Sequence, residues 1–139
     1  MAKVLISDKI SESAIQIFKN NKIEVDYKPG ISEDELNSII HDYDGLAIRS
    51  ATKVTESIIE KAEKLKVIGR AGIGVDNIDI ETAGKLGIKV VNSPTGSTKS
   101  VAELAIAHML SITRFVPRAD STMKKGEWAK KQLKGSELN

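Results

Sequence analysis

Three short segments of the sequence carry residue types that bind small anions. They are Arg49-Ser50, the run Arg70-Ala71-Gly72-Ile73-Gly74, and the run from Asn92 through Thr95 to Gly96. Guanidinium groups, a hydroxyl, an amide and glycine N–H groups together can hold a carboxylate or a phosphate. Each segment alone could be a surface charge or a plain turn. The presence of all three favours a shared site for an anionic ligand.

Each of these segments follows a short apolar run that predicts a buried β-strand. The runs are Leu46 to Ile48, the stretch around Val67 and Ile68, and Ile88 to Val91. In a parallel sheet the carboxyl ends of the strands open at one edge, where small ligands bind. The sequence therefore predicts that the three segments meet at this edge.

The amino-terminal part of the chain alternates strand and helix patterns. Two further strands are predicted at Lys3 to Ser7 and Ile23 to Tyr27, and predicted helices begin at Ser11, at the capping box of Ser32 and Glu35, at Thr55 and at Asp79. The helix residues expected to face the core are Leu36, Ile39, Ile40, Ile58, Ile59, Ala62, Ile80, Ala83 and Leu86. The alternation predicts an α/β fold, a flavodoxin-like five-stranded parallel sheet with helices on both faces.

A different pattern begins near Ser100. Ser100 and Glu103 predict a capping box for a long helix that is apolar almost all round from Val101 to Ile112. Such a helix needs covering on every side, which favours a second layer of structure that this chain does not supply. We expect residues 1–96 to form one domain, and residues 97–139 to form a crossover helix and an arm leading into another.

Composition narrows the function classes. The net charge of +2 argues neither for nucleic acid nor for an anionic membrane, and no apolar run approaches a membrane span. Cysteine is absent, which excludes disulfides, thiolate metal sites and a cysteine nucleophile. No spacing of metal ligands is present either. We expect a cytoplasmic protein without a metal.

Several other patterns invite a functional interpretation that the residues do not support. Gly72-Ile73-Gly74 lacks the third glycine of a dinucleotide loop, since position 77 is Asn. His41 and His108 have no partner that would make either a catalytic base. The lysines at positions 124, 125, 130, 131 and 134 around Trp128 are better explained as a solvated helix end and tail than as a nucleic-acid patch.

Five segments together resemble the amino-terminal part of the D-isomer-specific 2-hydroxyacid dehydrogenase family. They are R-S-A-T-K-V-T (Arg49 to Thr55), V-I-G-R-A-G-I-G-V-D-N-I-D (Val67 to Asp79), G-I-K-V-V-N-S-P-T-G (Gly87 to Gly96), S-V-A-E-L (Ser100 to Leu104) and M-K-K-G-E-W (Met123 to Trp128). The likeness spans nearly the whole chain in unbroken order.

The resemblance implies a two-domain enzyme that oxidises 3-phospho-D-glycerate to 3-phosphohydroxypyruvate with NAD, the entry step to serine. It implies that Arg49, Ser50 and the backbone of residues 72–74 hold the substrate, with Arg70 assisting. Asn92, Thr95 and Gly96 would line the cleft, and Ile73 and Val101 would contact the cofactor. The apolar helix and the segment around Trp128 would form subunit contacts of a homo-oligomer, expected to be a dimer.

The family's G-x-G-x-x-G loop and its catalytic Arg, Glu and His match no segment of this chain. The resemblance implies that they belong to a Rossmann cofactor domain, so we expect no catalytic residue here and no turnover by the 139 residues alone. Two alternatives stay open: a family member acting on another D-2-hydroxy acid, and a stand-alone flavodoxin-like anion-binding or regulatory module. A receiver domain is disfavoured because it needs an Asp where this chain has Arg49.

Overall fold

The structure, a computed structural model, describes residues 1–138. Their contacts divide the chain into two compact units, one of Met1–Gly96 and one that begins at Ser97. The assignment of these units to a substrate domain and the start of a cofactor domain stays a prediction.

The first unit is built on five parallel strands. They are β1 (Lys3–Ile6), β2 (Glu24–Tyr27), β3 (Gly45–Ile48), β4 (Val67–Arg70) and β5 (Lys89–Asn92). Their spatial order is β2-β1-β3-β4-β5. This is the flavodoxin-like order, and the predicted fold class is confirmed. The connecting helices are α1 (Glu12–Asn20), α2 (Glu33–Ile39), α3 (Glu56–Glu60) and α4 (Ile80–Lys85), with a 3-10 turn at Ile40–Asp42 after α2.

Side chains alternate between the two faces of this sheet, and one face carries the main core. Leu5, Leu46 and Ile68 lie in register across three strands. They pack against buried residues of α2, α3, α4 and their flanking turns, which include Leu36, Ile40, Ile58, Ile59, Ala62 and Ala83. The close-packed layer fixes the three central strands, and with them the positions of the strand ends.

The opposite face is covered by α1. Ala14 and Phe18 of this helix line a cleft together with Ala47, Gly69 and Val91. These three sheet residues are in register with one another and alternate with the core row. Helices therefore lie on both faces, as predicted.

Three of the predicted helix caps are confirmed. The side chains of Ser11, Ser32 and Asp79 accept hydrogen bonds from the N–H groups of Ala14, Glu35 and Thr82 respectively. The hydrogen bonds from the backbone and hydroxyl of Thr82 hold the pKa of the Asp79 carboxyl below its usual range. Each cap satisfies an N–H group that the helix itself cannot pair.

Other local expectations were wrong. Thr55 stands at the N-cap of α3 without capping it, and its hydroxyl lies 3.4 Å from Glu33 Oε1 instead. In α4, Ile80 and Leu86 are 50% and 56% exposed, and the inward positions are Thr82 and Ala83. A helix of six residues presents less than two turns, so two of the three apolar positions fall outside the buried face.

The second unit contains two helices, α5 (Thr98–Thr113) and α6 (Val116–Lys124), and a 3-10 turn at Lys130–Gln132. The predicted capping box at Ser100 is wrong, because Ser97 and not Ser100 stands at the N-cap position of α5, and the Ser100 hydroxyl donates to the Ser97 carbonyl. No helix within residues 1–138 is long and apolar enough to cross a membrane. The apolar side chains of α5 are exposed, among them Val101, Leu104, Ile106, Met109, Leu110 and Ile112.

The amino edge of the sheet is held by a charged cluster around the buried Tyr43. The Tyr43 hydroxyl donates to Asp26 Oδ2 at 2.7 Å, and Lys3 Nζ lies 3.0 Å from the same oxygen and 4.9 Å from the centre of the Tyr43 ring. The hydrogen bond from Tyr43 and the ammonium of Lys3 hold the pKa of Asp26 below its usual range, while burial raises the pKa of Tyr43. The cluster ties β1 and β2 to the turn that precedes β3.

We predict that Tyr43→Phe lowers the free energy of unfolding by about 1 kcal/mol at neutral pH, because the ring volume is kept and one hydrogen bond to a half-exposed carboxylate is lost. A carboxyl whose pKa is lowered by folding stabilises the folded state above its unfolded pKa, and this stabilisation is lost as pH falls through the folded value. Urea unfolding from neutral pH to about pH 3 should therefore show a shallower acid loss in the variant. An acid loss as steep as that of the natural chain would contradict the role given to Tyr43.

Candidate functional site

The carboxyl ends of β3, β4 and β5 bring the three predicted segments to one edge. Ile48 is in register with Arg70, and Arg70 with Asn92. The residues that follow form two loops, which we name the β3 loop (residues 49–52) and the β4 loop (residues 71–77). The segment after Asn92 contacts the β4 loop directly, since Ser93 N donates to Gly72 O at 2.9 Å.

Side chains donate hydrogen bonds to carbonyl groups of the β4 loop. Arg70 Nη1 donates to Gly74 O, and Asn92 Nδ2 donates to Ile73 O. Together with the bond from Ser93 to Gly72, three successive carbonyls are satisfied by donors of the protein. The loop is therefore folded with its oxygen atoms toward the protein.

The N–H groups of the same loop are available. Among residues 1–138, those of Ile73 and Gly74 find no hydrogen-bond partner. Backbone N–H groups grouped in a turn beside a guanidinium form a binding site for an anion. Arg70 supplies that charge, with a side chain that is only 13% exposed and with Nη2 4.0 Å from Asp76 Oδ1.

The β3 loop is held from two sides. Asp8 Oδ2 accepts hydrogen bonds from the N–H groups of Arg49 at 2.6 Å and Thr52 at 3.2 Å. Asn77 Nδ2 donates to the carbonyls of Arg49 at 2.8 Å and Thr52 at 2.7 Å. The N–H groups of Ser50 and Ala51 between them have no partner within residues 1–138.

Two of the clefts beside these loops are lined by Arg49. The larger, of about 550 Å³, is lined by residues of α1 and by the ends of β3, β4 and β5, including Arg49, Arg70 and Asn92. The smaller, of about 310 Å³, is lined by Ser50, Ala51 and Arg49 together with residues of the β1 and β2 ends. Arg49 borders both, and its Nη1 donates to Lys9 O at 3.2 Å. Its charge is therefore available on either side of the β3 loop.

The structure brings most of the predicted site residues together. Those at the shared edge are Arg49, Ser50, Arg70, Ala71, Gly72, Ile73, Gly74 and Asn92. Thr95 and Gly96 lie in the exposed turn that follows β5, and Val101 lies in the second unit, in the first turn of α5. The contacts of Arg70 are with the protein itself, through Arg49 O at 3.2 Å and Gly74 O.

Sequence reasoning missed three residues of this site, Asp8, Thr52 and Asn77. Their partners lie 25 to 44 residues away along the chain, so no local pattern points to them. The one available signal was the position of Asp8, directly after the strand predicted at Lys3 to Ser7.

Residues 1–138 form only a small part of a binding site for a dinucleotide. Ile73 is 45% exposed and could form an apolar wall for a nicotinamide ring. Within residues 1–138 the β4 loop does not lead directly into a helix, since α4 begins at Ile80. The arrangement of glycine turn and helix N-terminus that binds pyrophosphate is therefore not formed by this loop.

Comparison with known proteins decides the family. Residues 4–132 match the model of the D-isomer specific 2-hydroxyacid dehydrogenase catalytic domain. The chain belongs to this family. D-3-phosphoglycerate dehydrogenase of Methanocaldococcus jannaschii is 51% identical to this 2-hydroxyacid dehydrogenase chain over 138 residues, which are 99% of the chain and 26% of the relative. The chain thus spans about a quarter of the length of the curated relatives it matches.

Solved structures show the same fold. The TT0316 protein of Thermus thermophilus superposes with a TM-score of 0.85 at 26% identity, over 99% of this 2-hydroxyacid dehydrogenase chain and 46% of that protein. An NAD+-bound 3-phosphoglycerate dehydrogenase of Entamoeba histolytica superposes with a TM-score of 0.71 at 34% identity, over 81% of this chain and 39% of that protein.

We predict that Gly72→Ala displaces the Arg70 guanidinium, because the added Cβ would lie 2.8 Å from Arg70 Nη1. A flexible side chain can move, so the free energy of unfolding should fall by less than about 1 kcal/mol. Binding of D-lactate, a carboxylate probe, measured by isothermal titration calorimetry, should weaken by about tenfold or more because Gly74 O loses its donor.

The matched control is Gly84→Ala in α4, where an added Cβ meets no atom within 4 Å. It should raise the free energy of unfolding by about 0.5–1 kcal/mol and leave D-lactate affinity unchanged. Equal D-lactate affinity in the two variants would refute the importance of the Arg70 contact.

Proposed function

We propose that this chain forms the substrate-binding wall of an NAD-dependent dehydrogenase that oxidises 3-phospho-D-glycerate to 3-phosphohydroxypyruvate, a precursor of serine. The observation that carries the proposal is a set of four N–H groups that have no partner within residues 1–138. Those of Ile73 and Gly74 lie beside Arg70, and those of Ser50 and Ala51 lie beside Arg49. Such a site suits a ligand with two anionic ends. The names of the relatives supply the substrate.

The two loops suit the two ends of that substrate. A carboxylate needs two donors about one peptide apart, which the Ile73 and Gly74 N–H groups provide. A phosphate carries more charge and more acceptor oxygens, so it is matched by the Ser50 hydroxyl, the N–H groups of Ser50 and Ala51 and the exposed guanidinium of Arg49. Asn92, Thr95 and Gly96 would border the bound molecule on the side of β5.

The residues that we place at the site bind and orient the substrate, and neither histidine of residues 1–138 is among them. His41 lies in the turn before β3, at the opposite edge of the sheet, and His108 lies exposed on α5. NAD, which the Entamoeba protein binds, would take the hydride when present. Ile73 is the residue of the first unit that we propose to touch it.

Two other functions fit fewer observations. Another D-2-hydroxy acid would use the Ile73 and Gly74 N–H groups but would leave the β3 loop without a ligand. An anion-binding regulatory module would use both loops without needing a hydroxy acid between the two anions. Ligand preference separates these three possibilities.

We predict that the chain binds 3-phospho-D-glycerate at least about tenfold more tightly than inorganic phosphate or D-lactate, because only the first ligand engages both loops. Isothermal titration calorimetry with the three ligands measures this. Equal affinity for phosphoglycerate and phosphate would favour a regulatory anion site, and a preference for D-lactate would favour another hydroxy acid.

The matched variant is Arg49→Gln, which keeps a polar side chain and removes the charge. It should weaken phosphoglycerate binding about 10- to 100-fold and leave D-lactate binding within about twofold, because the charge is assigned to the phosphate. A parallel loss for both ligands would contradict that assignment.

We further propose that the chain associates with itself through the exposed apolar residues of α5 and through Trp128, which is 76% exposed. Apolar surface of this extent in one helix favours an interface. Light scattering should find an oligomer that Leu104→Gln weakens, while the neighbouring control Glu103→Gln leaves it intact. A monomer at all concentrations would refute the interface.

A further inference from the structure

We infer that Asp8 and Asn77 are positioning residues that set the β3 loop in its anion-binding conformation before any ligand arrives. The inference rests on the proposed function, because it concerns the same loop. Neither residue is assigned to contact the ligand. Both act through the backbone of Arg49 and Thr52.

Asp8 holds the β3 loop by its backbone N–H groups. Its carboxylate accepts from the N–H groups of Arg49 and Thr52 and, through Oδ1, from the Thr52 hydroxyl at 2.9 Å. It is 4% exposed, and the Thr52 hydroxyl lies 2.8 Å from the hydroxyl of the buried Ser7. A buried carboxylate held by several donors is a strong and rigid partner, since removing one donor leaves buried charge unpaired.

Asn77 holds the same loop by its backbone carbonyl groups. Its Nδ2 donates one hydrogen bond to Arg49 O and one to Thr52 O, which uses both of its hydrogens. Within residues 1–138, its Oδ1 is buried and has no partner. An unpaired buried acceptor is costly, so the amide at this position is explained by its donors rather than by its oxygen.

The two residues together determine which groups the loop presents. The N–H groups of Arg49 and Thr52 face Asp8, and their carbonyls face Asn77. Ser50 and Ala51 lie between these fixed points, and their N–H groups meet no acceptor in the described part of the chain. Arg70 Nε donates to Arg49 O as well, which links this loop to the guanidinium of the β4 loop. Binding to a preset loop avoids the entropic cost of ordering it.

The test replaces the amide of Asn77, which always donates, by a carboxyl group, which donates only when it is protonated. Asn77→Asp places a carboxylate against two carbonyl oxygens at about pH 8. Burial beside these oxygens disfavours the charged form and raises the pKa of the new carboxyl above the ordinary value of about 3.9, so lowering the pH to about 5 returns a proton and one O–H donor. Sulfate is the probe because its charge does not change over this range. We expect sulfate affinity of the variant to be at least about tenfold below that of the natural chain at pH 8 and within about threefold at pH 5.

Two controls isolate the effect. Asn20→Asp adds the same charge at the exposed end of α1, where the Asn20 side chain serves as an acceptor, and it should bind sulfate as the natural chain does at both pH values. The natural chain itself reports any titration of the charged groups around Asn77 and the β3 loop, which are Asp8, Arg49, Lys53, Glu56, Arg70, Asp76 and Asp79. Circular dichroism at both pH values confirms that each protein is folded before binding is compared.

Each outcome decides a different claim. A folded Asn77→Asp chain that binds sulfate normally at pH 8, or fails to recover at pH 5, overturns the positioning role. Recovery at pH 5 supports it. Asn77→Asp could show the expected loss at pH 8 and recovery at pH 5 while the natural chain binds phosphoglycerate no more tightly than phosphate. In that case the positioning role stands and the proposed substrate is wrong.

Discussion

The guanidinium of Arg70 is the contact on which both site loops depend. It lies at the end of β4, is largely enclosed, and donates to the carbonyls of Arg49 and Gly74. A guanidinium has five N–H donors in a fixed plane, so it can hold two backbone segments at a set angle as a lysine ammonium cannot. This contact also explains the glycine at position 72, because a Cβ there would occupy the space of Arg70 Nη1.

This arrangement explains how a sheet edge of ordinary composition becomes selective for anions. Arg70, Asn77 and Asn92 donate to the carbonyls of Arg49, Thr52, Ile73 and Gly74, and Asp8 accepts from the N–H groups of Arg49 and Thr52. Within residues 1–138 the N–H groups of Ser50, Ala51, Ile73 and Gly74 have no partner, and the Arg49 side chain beside them is exposed. The net charge of +2 is small, so the selectivity comes from oriented backbone dipoles and two guanidinium groups rather than from the overall field.

The strand order and the meeting of Arg49, Arg70 and Asn92 could be predicted, because they follow from alternating patterns and from the geometry of parallel sheets. The caps at Ser11, Ser32 and Asp79 are local and were also predictable. The role of Asn77 was not, because its partners Arg49 and Thr52 become neighbours only when β3 and β4 pair. The exposure of Ile80 and Leu86 was missed for a related reason, since it depends on how short α4 is.

The account makes the free N–H groups of Ile73 and Gly74 the centre of ligand binding, and amide proton chemical shifts measure them directly. On addition of 3-phospho-D-glycerate to the isotopically labelled chain, the amide protons of Ile73 and Gly74 should move downfield and saturate together with those of Ser50 and Ala51, as expected for N–H groups that gain a charged acceptor. Shifts confined to other residues, or no saturable shift at positions 73 and 74, would contradict the account.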